Sequence, residues 1–244
     1  MSGHSHAKTV AATKNANDAK KGKIFSKMGR VITIAVKEKG ADVTSNIQLK
    51  ALIEKAREFN MPNENIQRAI KKGTGELVGE DLQEVSFEGF GPGGIALIIE
   101  GITDNKNRTL GEIKGILGQY EGKMAGEGAV RWMFERRGVI VADPSTGSTG
   151  SPQAGSGQEN LEETAIEAGA DDIRENIVYT KPEDLEAVKK SLEQKGIKTE
   201  SGSLDWVPKE EVMISDKDKE KSEKLFEMLD DNDAVQNIYS NLKV

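Results

Sequence analysis

Five cations crowd one short stretch, Lys20, Lys21, Lys23, Lys27 and Arg30, with no acid among them. Each Lys or Arg that neutralises a phosphate releases condensed counterion, so about six or more such contacts give an affinity that falls steeply with salt. The chemistry predicted is the gripping of a polyanion, and Lys8 and Lys14 extend the run towards the N-terminus. The competing account is a solvated helix face, although such faces usually mix both signs of charge. The surplus is regional. Residues 1–72 hold 15 Lys and Arg against 6 Asp and Glu, a net of +9, while the whole chain is −7, which leaves −16 on residues 73–244. This split predicts a polyanion-binding front end on an acidic body.

Two further cation groups are candidates. Arg68, Lys71 and Lys72 end a helical pattern, where cations also offset the negative end of the helix dipole, so a structural and a phosphate-binding role stand side by side. In TDNKNRT, Lys106 and Arg108 sit where a helix begins, beside backbone N–H groups that favour anions, while Thr103, Asp104 and Asn105 suit a turn and a cap equally well. Base readout lacks its usual parts: Phe25 and Phe59 are the only aromatics of residues 1–75, and both fall on apolar faces. Recognition of shape and backbone is therefore expected in place of a base code. FEGFGPGG lacks the GK[ST] ending of a phosphate loop and leads into a strand, which predicts a tight turn.

Catalysis is not expected. The chain has no Cys, and its two His are His4 and His6, so most nucleophilic and general-base arrangements lack their usual residues. Carboxylates are plentiful without a recognisable metal or glycosidase spacing, and no cofactor or metal is expected. With Met1 removed, Ser2-Gly3-His4 would offer an amine, two amides and an imidazole to Cu(II) or Ni(II); the preferred reading of His4 and His6 is a tip facing nucleic acid. The longest apolar runs, such as Ile95–Ile99, are too short to span a bilayer, and the N-terminus lacks a signal-like apolar core. A cytoplasmic protein without membrane contact is expected.

The elements that would position these groups follow from periodicity. Ile24, Phe25, Met28, Val31, Ile32, Ala35 and Val36 recur at helical spacing, with Lys20, Lys23, Lys27, Arg30 and Lys37 on the opposite side of the wheel. This predicts a helix that buries one face and offers a basic ridge with the other. Ser45 with Gln48 reads as a capping box for a second helix, and MPNENIQRAIKKG as a third that stops at Gly73. Beyond GTGELVGEDL the pattern alternates strands and helices: VSFEGF, IALIIEGIT and AVRWMFERRGVIVAD as strands, NRTLGEIKGILGQY as a helix. After a low-complexity loop, Pro144–Gln158, come helix LEETAIEAG, strand NIVYT, helix PEDLEAVKKSLEQKG and strand IKTESGSLDWV. Strand EVMIS, helix DKEKSEKLFEMLDD and strand AVQNIYSNL close the chain. The predicted class is α+β with three domains. These are a helical domain at 1–75, a discontinuous α/β domain at 76–134 plus 208–244, and an inserted α/β domain at 135–207, the last two ferredoxin-like.

Several blocks occur in the order of a known family: Gly3–Gly40, MPNENIQRAIKKG (Met61–Gly73), FEGFGPGG (Phe87–Gly94), TDNKNRT (Thr103–Thr109) and WMFERRGVI (Trp132–Ile140). Nearly end to end, the chain resembles the YebC family. The resemblance implies an N-terminal helical domain and two α/β domains. It also implies either a probable transcriptional regulator or a translational activator associated with the ribosome, like the mitochondrial translational activator of cytochrome oxidase. Where members typically read GHSKW this chain has His6 and Ala7, so no stacking or phosphate contact is carried over to that tip. The expected function is a non-enzymatic, nucleic-acid-binding regulator of gene expression. Its client would be promoter DNA or ribosomal RNA, and its acidic domains would position it or contact the ribosome or another protein. The alternative is an interaction module whose basic helix docks on an acidic protein surface.

Overall fold

The computed structural model describes residues 18–79, 81–143 and 156–243, with the side chains of 18–20 and 156–160 outside the description. In chain order the elements are α1 (Asp18–Lys39), α2 (Ile47–Glu58), α3 (Asn63–Thr74), β1 (Gln83–Phe90), β2 (Ala96–Thr103), α4 (Lys106–Gln119) and β3 (Lys123–Ala125). They continue with β4 (Phe134–Ala142), α5 (Ser156–Glu167), β5 (Asp172–Arg174), β6 (Ile177–Thr180), α6 (Leu185–Gln194), β7 (Thr199–Pro208), α7 (Asp216–Asp230) and β8 (Val235–Ser240). They form two compact units, one of 18–130 with Met213–Ser240 and one of Arg131–Val212 with 241–243. The class is α+β, a helical N-terminal part followed by two antiparallel four-stranded sheets with helices.

The first unit begins with three helices around one apolar centre. Ile32 and Val36 of α1 meet Leu49, Ile53 and Ala56 of α2 and Ile66 and Ala69 of α3, with Phe25 and Met28 packed at the margin. The α1–α2 corner departs from the expected capping box by one residue. Asn46, not Ser45, is the cap: its Oδ1 accepts from Leu49 N–H at 2.9 Å, and its Nδ2 donates to the carbonyls of Ala35 and Gly40 at 2.9 and 2.8 Å. One buried amide thus satisfies three backbone groups, which a hydroxyl could not do. Gly73 is likewise not a helix stop. It lies inside α3 where the helix crosses α1, and a Cβ there would stand 2.6 Å from Val36 Cβ and 2.7 Å from the Thr33 carbonyl oxygen. The stop is Gly75, left-handed at φ +79°.

The sheet of the same unit has the strand order β3-β1-β2-β8. Its centre is the β1–β2 hairpin, paired from Gln83↔Thr103 to Phe90↔Ala96. From β2 the chain runs through α4 and returns on β3 beyond β1, a split β-α-β crossover. Ala96, Leu97, Ile98 and Ile99 have no exposed surface, as expected for a central strand covered on both faces. The carboxylate of buried Glu88 accepts from the N–H groups of Gly128 and Val130, both at 2.8 Å, and so holds the segment leaving β3.

The second unit follows the ferredoxin-like order β-α-β-β-α-β, with strands arranged β5-β6-β4-β7. Ile140, Ala142 and Val178 of the sheet pack under Leu161 and Ala165 of α5 and Leu185, Val188 and Leu192 of α6. The helix α5 begins at Ser156, inside the stretch expected to be loop; 144–155 lie outside the described residues. EVMIS is not a strand: Val212 makes only an isolated parallel bridge to Leu242. The three-residue strands β3 and β5 were not anticipated, being too short to show alternation.

Candidate nucleic-acid interface

The basic side of α1 is not an open ridge. Lys23, Lys27, Arg30, Ile34 and Lys37 form a stripe at i, i+4, i+7, i+11 and i+14, and its members are engaged with the sheet part of their own unit. Lys27 Nζ donates to the Asp230 carbonyl and, at 2.9 Å, to its carboxylate. Lys23 Nζ lies 2.7 Å from the Asp231 carboxylate. Arg30 Nη1 donates to the Ile102 carbonyl at 2.8 Å, and Lys37 Nζ pairs with Asp81 at 2.6 Å. Between these cations Ile34 is buried with Leu82 and Ile102.

The physical reason lies at the end of α7. Glu227, Asp230 and Asp231 place negative charge where the helix dipole is already negative and the last carbonyls lack intrahelical donors. Lys27, with its side chain 15% exposed, supplies a donor and a positive charge there. Its desolvation is compensated because carboxylate and carbonyl both accept from it. The wheel of α1 shows the cations but not these acids, some two hundred residues away in sequence.

Lys23 and Arg30 also border a groove of about 450 Å³ that Arg108 and Glu112 of α4 line with Asp231 and Asp233. Three of the sequence-predicted cations therefore converge here, together with three acids. Arg108 pairs with Asp104 and lies 3.7 Å from Glu112. The Arg108 guanidinium is the main reason the Asp104 carboxyl is held below its usual value. At the start of α4 the cap is filled: Asn105 Oδ1 accepts from Arg108 N–H at 3.0 Å. Lys106 is exposed one residue into the helix.

The cations of α3 have a different setting. Lys71 and Lys72 are exposed in its last turn, and Arg68 is exposed in an i,i+4 pair with Glu64 at 2.8 Å. The methylenes of Lys72 lie against Gly79, and the residue as a whole is exposed. Lys21 is exposed on α1; Lys8 and Lys14 lie outside the described residues, as does the side chain of Lys20. The α2 cations Lys50, Lys55 and Arg57, not singled out from the sequence, are exposed as well.

The Gly-rich segment is a turn. Gly93 and Gly94 adopt φ +67° and +79°, and a Cβ on Gly93 would come within 2.7 Å of Ile214, so the glycines serve chain reversal and close packing. Sequence reasoning missed a second cationic locus. Guanidinium carbons of Arg131 and Arg136 lie 5.3 and 5.2 Å from the Trp206 ring, while neighbouring Trp132 is 65% exposed. Its one visible signal was the run RWMFERR. Among the described residues no helix is long and apolar enough to cross a membrane, and no three His, Asp or Glu cluster as a metal site.

Comparison with known proteins covers both ends of this architecture. Residues 5–76 match the TACO1/YebC protein N-terminal domain, and residues 82–242 match the TACO1/YebC second and third domain. A probable transcriptional regulatory protein of Thermoanaerobacter pseudethanolicus is 43% identical over 248 residues, covering 100% of this chain and 98% of that protein. One of Caldanaerobacter subterraneus is 44% identical, covering 100% and 99%. A conserved hypothetical protein of Aquifex aeolicus, known from its crystal structure, is similar with a TM-score of 0.80 and 39% identity, over 93% of this chain and 91% of that one. In helical front, paired sheets and sequence alike, the chain belongs to the TACO1/YebC family.

Proposed function

We propose that this chain is a non-enzymatic, nucleic-acid-binding regulator of gene expression that holds the phosphate backbone through its N-terminal helical part. The observation that carries this is the exposed pair Lys71 and Lys72 at the end of α3, in a segment with nine surplus positive charges on an otherwise acidic chain. Exposed lysines exchange water and counterion for phosphate at little cost, whereas Lys27 would first have to abandon Asp230. Lys71 and Lys72 are thus the primary contacts, with Arg68 beside them in its exposed pair with Glu64. Lys8, Lys14, Lys20, Lys21 and Lys106 extend them, and Lys23, Lys27, Arg30 and Arg108 contribute positive potential from paired positions.

The names of the relatives favour transcription, with promoter DNA as the client; a ribosome-bound activator of translation, with ribosomal RNA, is the second form of the same function. The three-domain division at 1–75, 76–134 with 208–244, and 135–207 assigns binding to the first and positioning or protein contact to the acidic others. The site of action is the cytoplasm. Crosslinking the protein in cells and sequencing what it retains distinguishes the clients. Promoter-enriched DNA supports the transcriptional form and ribosomal RNA the translational one. Recovery of neither contradicts nucleic-acid binding and favours docking on an acidic protein.

A further inference from the structure

No apolar residue of α3 is exposed. Ile66, Ala69 and the partly buried Ile70 face the three-helix centre, and the outward side carries two rows at i, i+4 and i+8: Asn63, Gln67 and Lys71, with Glu64, Arg68 and Lys72 beside them. Charge is graded along these rows. Glu64 and Arg68 offset each other in their 2.8 Å pair, so the surplus lies on Lys71 and Lys72 in the last turn, while the two amides occupy the first half of the helix. An exposed amide offers a donor and an acceptor side by side and carries no charge.

The connection to α2 fixes how this surface is presented. Residues 59–62 alone separate the two helices. Asn60 turns the chain at φ +60°, and Met61 donates its N–H to the Ala56 carbonyl at 2.9 Å with its side chain in the shared core. With α1 packed against both, this is the topology of a helix-turn-helix, in which the second helix enters the major groove of duplex DNA and its N-terminal residues meet base edges. The 12 residues of α3 rise about 18 Å, and a helix about 10–12 Å across fits a groove about 12 Å wide. On α2, Lys50, Lys55 and Arg57 are exposed as well, mixed with Glu54 and Glu58.

We infer that α3 reads base pairs from the major groove of duplex DNA, Asn63 and Gln67 each bonding an adenine edge through both ends of the amide while Lys71 and Lys72 hold phosphates where the helix leaves the groove. The inference rests on the nucleic-acid reading above and deepens it, by naming the form of the ligand and the residues that choose its sequence. The scarcity of aromatics in residues 1–75 tells against stacking of unpaired bases, but hydrogen bonds to paired bases need none. The two clients are separated as well, because the major groove of A-form RNA is too deep and narrow for side chains to read.

The test is to sequence the duplexes that the full chain retains from a randomised DNA pool. The parent is expected to enrich a motif containing A·T pairs. Gln67→Ala should relax the preference at one of them about tenfold, and Asn63→Ala at another, with affinity for unrelated duplexes and the thermal midpoint unchanged. Lys71→Glu should instead lower affinity for every sequence alike. Duplex binding without any enriched motif, or the same motif at the same strength in both amide variants, overturns this inference and leaves phosphate binding, and with it the proposed function, intact. Binding to an RNA duplex as tight as to DNA of the selected sequence overturns it too, in favour of the translational form. If the parent chain retains neither DNA nor RNA, the proposed function itself fails.

Discussion

The stripe of α1 and the last turn of α3 draw on the same surplus of positive charge, yet they use it differently. Lys23, Lys27, Arg30 and Lys37 meet acids and carbonyls of their own unit, and Ile34 is buried among them. Lys71 and Lys72, on a helix packed against α1, are exposed. The lesson is that a cation count marks a region of surplus positive charge, while the partners of each cation separate those engaged within the fold from those left exposed.

The largest effect expected is from Lys27→Glu, which sets a carboxylate against Asp230 and leaves the α7 terminus without its donor. Thermal or urea unfolding should show a loss of about 3 kcal/mol. An unchanged midpoint would break the comparison, because α1 would then be free after all. Gly73→Ala comes next. Its methyl group would press on Val36 and the Thr33 carbonyl, costing about 2 kcal/mol by overpacking. Hydrogen exchange should rise in α1 and α3 together, showing that the exposed lysines depend on that close crossing. Lys71→Glu with Lys72→Glu should cost about 1 kcal/mol, from two charges reversed at the negative end of the α3 dipole, and leave the fold intact.

The smallest effect concerns pH. Hydrogen bonding from Lys37 holds the Asp81 carboxyl below its usual value of 3.8. A carboxyl whose folded pKa is depressed contributes stability in full above its unfolded value and loses it as the pH falls through the folded one. The stability difference between the parent chain and Asp81→Asn should therefore be small at neutral pH and vanish on acidification below that range. Both groups are exposed, so salt should diminish it as well.

Periodicity made α1 and its apolar face legible, because Ile32 and Val36 serve a local three-helix core. It gave no view of the second packed stripe, since Lys27 and Arg30 are polar in type and their partners, Asp230 and Ile102, are remote in sequence. The helix limits shifted for equally specific reasons. Asn46 bonds three backbone groups that only the fold brings together, and Gly73 is small because another helix passes there. The Arg–Trp–Arg cluster depends on the β4–β7 register, which sets Arg136 opposite a residue seventy positions away.

The salt dependence of nucleic-acid binding puts the central claim to its most direct trial. Log affinity against log salt concentration should be measured for the parent chain and for the Lys71→Glu, Lys72→Glu double variant, with folding checked in each. If these exposed lysines hold phosphates, affinity falls in the variant and the slope flattens by about 2, near one for each lysine–phosphate pair removed. An unchanged slope and affinity in a folded double variant would contradict the account and place the phosphate-binding groups elsewhere on the chain.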